Sequence, residues 1–567
     1  MKKKTMMKKG LAMLLTLGMV SGMLTGCGSG GNKAAKTTVF KEEIEAAYVN
    51  GEFDARSVTE GVKLTIGIPS NAKVVDYETN NTTLLIEEKL GVDLEFMVLP
   101  SADYNSKIGV MVLSGEELPD IIFEAGQYSN WIDEGVLVDL TEFYENEDVS
   151  ANIHAAEARS DKEIIKYMKR PDGRIYALPH LNDEIYAEVA SKLWVYQPWL
   201  DELGLDVPET MEEFYEACKL VVENDMNGNG KADEVAVSGV ALDKWFDCMM
   251  SSFVYSHEVY WRVVEDGKVG LAYATDEWKE GIKYIKKFFD EGLIPEETLT
   301  QASTQYNSLL YSATPKVFAF SDFQYPGTDV ERRAEYTAIP ALEGPKGVKY
   351  SACDFKVPTA GAVITTDCEN PLAAFLVCDY MCSLEMSLTQ RFGEQGVDWD
   401  FWEDAQENYG DASEFVPTFE GYDIVFYPYD MFNFQLSPNA QNVCYKQNGP
   451  MIIDRATASG AGVWLEATDD NTRMMAELEI ITSDAASECL KYQPEEVFDF
   501  APLTTDEQEE VADVLSAMFT YVKEKTSAFL IGQEDIDKEW NNYLKELENI
   551  GMKDYLDVIQ DAYDRVH

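Results

Sequence analysis

Residues 62–123, VKLTIGIPSNAKVVDYETNNTTLLIEEKLGVDLEFMVLPSADYNSKIGVMVLSGEELPDIIF, alternate between two hydrophobic periods. Val62 to Ile68 repeats with period two and runs into Pro69-Ser70-Asn71, a strand that ends in a loop. Thr82 to Leu90 sets Leu84, Leu85, Ile86 and Leu90 against Glu87, Glu88 and Lys89, and Gly91 follows as a helix-ending residue. Val92 to Leu99 reads as a second strand, residues 103–114 as a second amphipathic helix, and Leu118 to Phe123 as a third strand. That order gives βαβ units and a largely parallel sheet, hence an α/β fold. Open sheets of this kind bind ligands beyond the carboxyl ends of their strands.

The rest of the chain must fit around that unit. At 567 residues it exceeds what one hydrophobic core supports, so more than one lobe is expected. With 46% hydrophobic and 12% aromatic residues it has ample core material and is no acidic disordered tail. Asp and Glu number 102 against 46 Lys and Arg, a formal charge of -56. That balance opposes binding to nucleic acid or anionic lipid surfaces, which need basic faces. Four histidines leave little room for histidine-based metal or acid–base chemistry.

The N-terminus indicates the compartment. Lys2, Lys3, Lys4, Lys8 and Lys9 precede a short apolar run, Leu11 to Val20, too short for a permanent membrane span. Leu24-Thr25-Gly26-Cys27 resembles the lipobox of bacterial lipoproteins. The resemblance implies cleavage before Cys27, acylation of that cysteine, and an extracytoplasmic protein anchored to the cell membrane. Residues 28–38 are small and polar, as a flexible tether would be, and the tether with its lipidated cysteine is assigned to 27–58. Removing residues 1–26 takes five lysines and no acid, so the charge moves from -56 to -61. Eight further cysteines, at 218, 248, 353, 368, 378, 382, 444 and 489, are too sparse for a disulfide framework. Most are expected to be buried free thiols, with no pairing assigned.

Further motifs follow in order. They are Ser114-Gly-Glu-Glu-Leu-Pro-Asp120, Trp131-Ile-Asp-Glu-Gly-Val-Leu-Val-Asp-Leu140, Asp172-Gly-Arg-Ile-Tyr-Ala-Leu-Pro179 and Trp199-Leu-Asp-Glu-Leu-Gly-Leu205. Pro208-Glu-Thr-Met-Glu-Glu-Phe214, Asp290-Glu-Gly-Leu-Ile294, Gly344-Pro-Lys-Gly347, Arg391-Phe-Gly-Glu-Gln-Gly396 and Phe529-Leu-Ile-Gly-Gln533 continue the set. Together they resemble family 1 extracellular solute-binding proteins, the capture components of carbohydrate ABC importers, and most of all the LipO-type lipoproteins related to alginate-binding periplasmic proteins. The resemblance implies a two-lobed periplasmic-binding-protein fold, type II-like, with a ligand cleft between lobes that are discontinuous in sequence. The expected division is 59–185 plus 355–445 for the N-lobe and 186–354 plus 446–567 for the C-lobe. Asn370 to Leu388 reads as one helix, as do residues 505–530 and 534–566, the last presenting Trp540, Tyr543, Leu544 and Leu547 on one face.

Residues 225–234 carry a metal-type pattern. Asp225, Asn227, Asn229, Asp233 and Glu234 place oxygen side chains at loop positions 1, 3, 5, 9 and 10, and Gly230 occupies position 6. Calcium takes six to eight hard oxygen ligands, with position 7, here Lys231, giving its backbone carbonyl. The twelfth-position glutamate of an EF-hand is Ala236, so the strict pattern fails and Glu234 would replace it. The competing reading is a polar Asn-Gly turn between a helix and a strand. The departure is similar to the calcium loop of alginate-binding relatives, which implies a structural ion in the C-lobe held by Asp225, Asn227, Asn229, Lys231, Asp233 and Glu234.

Sugar sites need aromatic faces and a few hydroxyl-binding polar groups. Candidates at strand-end loops are Asn71, Asp76, Tyr77 and Asn80, then Glu124 and Tyr128, then Trp245, Phe323, Gln324 and Tyr325, and finally Trp399 and Trp402. Each competes singly with core packing, and the clustering carries more weight than any member. The expected ligand is a neutral oligosaccharide, delivered to ABC permease subunits by a monomeric receptor. Peptide or uronate-oligosaccharide binding is the alternative, since Lys166, Lys169, Arg170 and Arg174 offer one local basic run. No G-x-S-x-G, H-E-x-x-H or P-loop pattern occurs, and Ser70-Asn-Ala-Lys73 lacks the companion motifs of penicillin-binding enzymes. No enzymatic activity is expected, a surface glycosidase being the weaker option.

Overall fold

A computed structural model describes residues 40–567, except 127, 161, 184, 190, 258–259, 324–329, 354, 402–403, 405–423, 427–441, 446, 455–480 and 483. Cys27, the signal, the 28–38 segment, Gln324, Tyr325 and Trp402 therefore lie outside the described residues.

The 62–123 stretch folds as its periodicity dictates. Strands Lys63–Pro69, Asp93–Leu99 and Ile121–Phe123 alternate with helices Asn81–Leu90 and Tyr104–Ser114. Asn80 caps the first helix, its side chain accepting the Thr82 N–H at 3.0 Å, and Gly91 ends it in the left-handed region. The three strands run parallel. Ala177–Asn182, Thr359–Ile364 and Met451–Ile453 complete a six-stranded sheet, in the order 451–453, 177–182, 359–364, 121–123, 63–69, 93–99. Only Thr359–Ile364 runs against its neighbours. A second sheet has four strands, in the order Tyr336–Ile339, Lys192–Tyr196, Val317–Asp322, Val235–Ser238, with Lys192–Tyr196 antiparallel to both neighbours.

Each sheet packs its own core. Leu64, Ile66, Phe123, Phe143 and Phe375 belong to the first; Trp199, Phe214, Phe318 and Trp278 to the second. The C-terminal helices join the second core through Phe529, Trp540, Tyr543 and Leu547. Withdrawing a large apolar side chain from water is worth about 1.5–3 kcal/mol, and this fixes which lobe each helix joins.

The structure corrects four expectations. Residues 40–58 are folded rather than part of a tether: Phe40 and Ile44 enter the first core, the Phe40 ring lies 4.5 Å from that of Phe143, and the Phe40 N–H donates to Glu142 at 2.8 Å. Met451–Ile453 pairs with His180–Asn182 in the first sheet, so the return to the second lobe falls beyond 453 and not at 446. The 370–388 helix is two, Pro371–Met381 and Leu384–Phe392, bent by 66°. The break falls where Ser383 turns extended and caps the second helix through the Met386 N–H. The 534–566 helix divides at Gly551 into Ile536–Ile550 and Met552–Asp564. All eight described cysteines are free thiols, seven of them buried, and Cys248 is half-buried.

The strand directions place the cleft. The chain leaves the first sheet after Asn182, enters the second at Lys192, leaves it after Ile339 and returns at Thr359. Asp322 pairs with Lys192, Ile339 with Leu193, and Phe123 with Ala362. The carboxyl ends Pro69, Leu99, Phe123, Ser238 and Asp322 consequently all lie on the crossover side. The crossovers form a small plug of their own, with Val189, Cys353, Ala486 and Cys489 in one buried cluster.

Candidate functional site

On the first sheet, the carboxyl ends lead into the loop 70–80 and the turn at Glu124. Asn71 and Asp76 shape that loop with Asx turns, Asn71 accepting the Lys73 N–H at 3.0 Å and Asp76 the Glu78 N–H at 3.1 Å. Asp76 remains exposed. Glu124 holds a left-handed backbone, φ 54°, an uncommon state for a non-glycine residue that marks a position held by its surroundings. Its carboxylate accepts the Gly449 N–H at 3.2 Å, and His180 Nδ1 contacts the Gly449 carbonyl at 2.8 Å. Gly449 has φ 109°, and a Cβ there would stand 2.8 Å from the Phe123 ring, so only glycine lets this loop lie against the sheet. Tyr128 is half-buried and hydrogen-bonded by Arg170, which also donates to Ser129 at 3.0 Å. Of the expected basic run, Lys166 pairs with Glu163, Arg174 with Asp172, and Lys169 is exposed, while Arg170 reaches Ser129 and Tyr128 on this side.

Beside the loop lies a cavity of about 520 Å³ lined by Asn81, Leu85, Glu385, Thr389, Glu394, Gln395, Gly396, Asp400 and Asp404. Its four carboxylates and two amides suit hydroxyl-rich or cationic groups and repel polyanions.

On the second sheet, Asp322 ends the strand Val317–Asp322 and Phe323 follows it. Asp322 accepts from the Phe323 N–H at 2.8 Å and from Lys244 Nζ at 3.2 Å, both side chains being about 30% exposed. Asp243 precedes Lys244, and the nearby Tyr311 ring is 42% exposed. Lys192 lies beneath, its ammonium donating to the Val189 carbonyl at 2.6 Å and sitting 4.9 Å from the Phe323 ring centroid.

Burial pushes the Lys192 amine down to about 8 from its ordinary 10.5. Below about pH 8 the folded chain therefore carries a buried charge at a cost, relieved as pH rises from about 8 to 10.5, where only the unfolded chain binds the proton. That displacement amounts to roughly 3 kcal/mol, less about 1 kcal/mol for the Val189 carbonyl that methionine would leave unpaired. Lys192→Met is expected to stabilise the fold by about 2 kcal/mol at pH 7. The gain should shrink through the alkaline window in calorimetric scans; a gap independent of pH would contradict this account.

Four expected ligand residues are withdrawn by burial. Tyr77 is buried with its hydroxyl on the Pro69 carbonyl, and Asn80 is spent as a helix cap. Trp245 packs against Gly239 and donates to the Ala241 carbonyl. Trp399 is buried and donates to the Gly393 carbonyl. An aromatic in a strand-end loop satisfies the same sequence pattern whether it turns out or in. Asn71, Asp76, Glu124, Tyr128 and Phe323 keep surface on the crossover side. Asp322, Lys244 and Tyr311 were not among the expected residues, and Arg170 was named only within the basic run 166–174; the run of strand into Ser-Asp-Phe at 321–323 was the available signal for Asp322.

The 225–234 loop follows the capped helix Met211–Glu223 and enters the strand Val235–Ser238. Gly228 and Gly230, at φ 68° and 76°, allow its tight coil. Asp225 accepts the Asn229 and Gly230 N–H groups at 3.0 and 2.7 Å, and Asn229 Oδ1 accepts the Lys231 N–H at 2.9 Å. Asp233 takes Asn227 and Asn229 amides at 3.0 and 2.8 Å and Lys316 Nζ at 2.6 Å, which hold its carboxyl well below the usual range. Glu234 is 8% exposed; Oε1 accepts the Asn227 N–H, while buried Oε2 has no partner among the described residues. Among the described residues no three His, Cys, Asp or Glu side chains form a metal cluster. The amide, carbonyl and carboxylate oxygens of the loop are hard ligands of the kind that suits calcium, and the unpartnered Glu234 oxygen fits such a group.

A family profile described as bacterial extracellular solute-binding protein matches residues 78–385. The fructooligosaccharide ABC transporter substrate-binding protein FusA of Streptococcus pneumoniae is 24% identical over 498 residues, 85% of this chain and 86% of its own. Lipoprotein LipO of Bacillus subtilis is 25% identical over 229 residues, 39% of this chain and 43% of its own. A solved extracellular solute-binding protein from Bifidobacterium longum subsp. infantis superposes with TM-score 0.73 at 21% identity, covering 89% of this chain and 98% of that one. An EF-hand mutant of FusA in complex with fructo-nystose superposes with TM-score 0.65 at 21% identity, covering 89% and 99%.

Proposed function

The chain belongs to the bacterial extracellular solute-binding proteins, and from that membership we propose that it captures a neutral oligosaccharide between its lobes for an ABC importer. The observation that carries the proposal is the pair of carboxyl-edge walls. Asp76, Glu124, Tyr128 and Arg170 stand on one, and Asp322, Lys244, Tyr311 and Phe323 on the other. Aromatic faces take the C–H-rich side of a sugar ring, while carboxylates, an ammonium and a guanidinium meet its hydroxyls. The acids outnumber the bases on these walls and in the adjoining cavity, which favours neutral glycans over uronates. The similarity to FusA supports an oligosaccharide cargo, and the chain acts by binding and release without turnover.

Isothermal titration with kestose, maltotriose and lacto-N-tetraose, followed by chromatography of the recovered sugar, tests this directly. Binding with intact sugar is expected. Asp322→Ala and Glu124→Ala should each weaken it about tenfold to a hundredfold, the effect of losing a hydrogen bond to a charged group. Hydrolysed sugar, or binding to peptides alone, would sink the reading.

Two further features belong to the same proposal. Asp225, Asn227, Asn229, Asp233, Glu234 and the Lys231 carbonyl hold a structural calcium ion, supported by the unpartnered Glu234 oxygen. Cys27 is lipidated and anchors the receptor outside the cell membrane as a monomer, supported by the lipobox-like Leu24-Thr25-Gly26-Cys27 and the similarity to a lipoprotein.

A further inference from the structure

We propose that Asn442 is a positioning residue that locks the ligand-facing loop 71–80 to the segment leading into the strand Met451–Ile453, after which the chain crosses to the second lobe, an inference that rests on the cleft reading above. Asn442 is 366 residues from Asp76 in sequence, yet its Oδ1 accepts the Asp76 N–H at 3.1 Å. Its Nδ2 donates to the Thr79 carbonyl at 3.0 Å and to Thr79 Oγ1 at 3.2 Å. Its backbone N–H donates to the Lys73 carbonyl at 3.2 Å, and its carbonyl accepts the Asn81 N–H at 3.3 Å. One residue thus binds the start, middle and end of the loop. The loop's own Asx turns shape it without tying it to the lobe. Asn442 holds φ 67°, a left-handed state that asparagine tolerates better than most residues.

The chain beyond Asn442 carries the connection onward. The Cys444 carbonyl accepts Asn80 Nδ2 at 3.1 Å, and the Tyr445 hydroxyl meets Thr83 Oγ1 at 2.6 Å. Gly449 bonds Glu124 and His180, and Met451–Ile453 then joins the crossover strand Ala177–Asn182. Displacement of the strand Met451–Ile453 is therefore transmitted to Asp76 and Glu124 together. Asn442 touches no ligand on this account; it sets where the loop stands when the lobes close.

The test uses the full chain. Asn442→Gly keeps the left-handed backbone and removes the side-chain bonds, whereas Asn442→Asp keeps the acceptor for Asp76 and loses the donor to Thr79. Amide hydrogen exchange without ligand should accelerate at Asp76 by about tenfold or more in Asn442→Gly and less in Asn442→Asp, with Ile121–Phe123 unchanged. Whichever of kestose, maltotriose or lacto-N-tetraose the wild type binds should bind about tenfold more weakly to Asn442→Gly, mainly through faster release. Unchanged exchange at Asp76, or faster exchange with unchanged affinity, overturns the proposal. Wild type binding none of the three sugars counts against the carbohydrate reading, and the exchange result then decides the positioning role alone.

Discussion

Lys162→Ala is expected to remove about 3–5 kcal/mol of stability from the six-stranded lobe, the largest effect of any single substitution considered. Lys162 and Asp183 pair at 3.6 Å with side chains only 3% and 0% exposed. Removing the lysine leaves a carboxylate that water cannot reach. The geometry widens the damage. Lys162 Nζ lies 3.9 Å from the Phe355 ring centroid on the second crossover, and the Asp183 N–H donates to the Ile453 carbonyl at 3.0 Å on the third. Nearby, Arg159 holds Asp454 at 3.2 Å. The pair thus ties three crossovers to one N-lobe segment. Replacing both partners by apolar residues, Lys162→Met with Asp183→Leu, should recover much of the loss, because neither member of the pair is then left as a buried charge without the other. Calorimetry of the three proteins measures this. A single variant that melts with wild type, or a double variant worse than the single, would show that the pair does not act as described.

Removing calcium comes second in size. An ion at 1,000 times its dissociation constant stabilises the state that binds it by about 4 kcal/mol. Chelation should accordingly lower the melting temperature of the four-stranded lobe by several degrees, with recovery on adding calcium and little recovery with magnesium, which demands tighter octahedral geometry. Asp225→Ala and Glu234→Ala should abolish the response to chelator. Their cost without calcium should differ: Asp225 accepts two loop N–H groups, whereas Glu234 accepts one and leaves its other oxygen buried and unpaired. Identical melting curves with and without chelator would falsify the calcium assignment. It would also mean that Lys316 at Asp233 serves as the loop's permanent cation.

The loop illustrates what local sequence can specify. Alternate oxygen side chains and two glycines define the coil before any tertiary contact exists, so its shape was legible. The first three strands were legible for the same reason, since their alternation and caps act over neighbouring residues. Long-range pairing was not legible. Met451–Ile453 is three apolar residues whose lobe depends on finding Ala177–Asn182, and its local pattern fits either sheet. Phe40 and Ile44 look like solvent-side residues of a tether until Phe143 covers them. The break at Ser383 is a cap inside an apolar run, visible only once the second helix turns onto the 451–453 strand.

The strand-end residues proposed as ligand walls divide in the same way. Sequence identified the loops after the strands, because parallel sheets always open at their carboxyl ends. It did not sort Trp245 and Trp399, which turn inward, from Tyr311 and Phe323, which keep surface, because Trp245 sits on the helix Lys244–Met250 and Trp399 on the strand Trp399–Phe401, and the face each element buries is set by its packing. By itself the sequence determined the α/β class, the acidic charge, the tight 225–234 coil and the family resemblance; each follows from composition or from residues close together in the chain. Only the tertiary structure decided where the crossovers fall, which aromatics face the cleft, and that Asn442 meets Asp76. Those are outcomes of packing between segments hundreds of residues apart, where burial and hydrogen-bond satisfaction select one arrangement among many the local pattern allows.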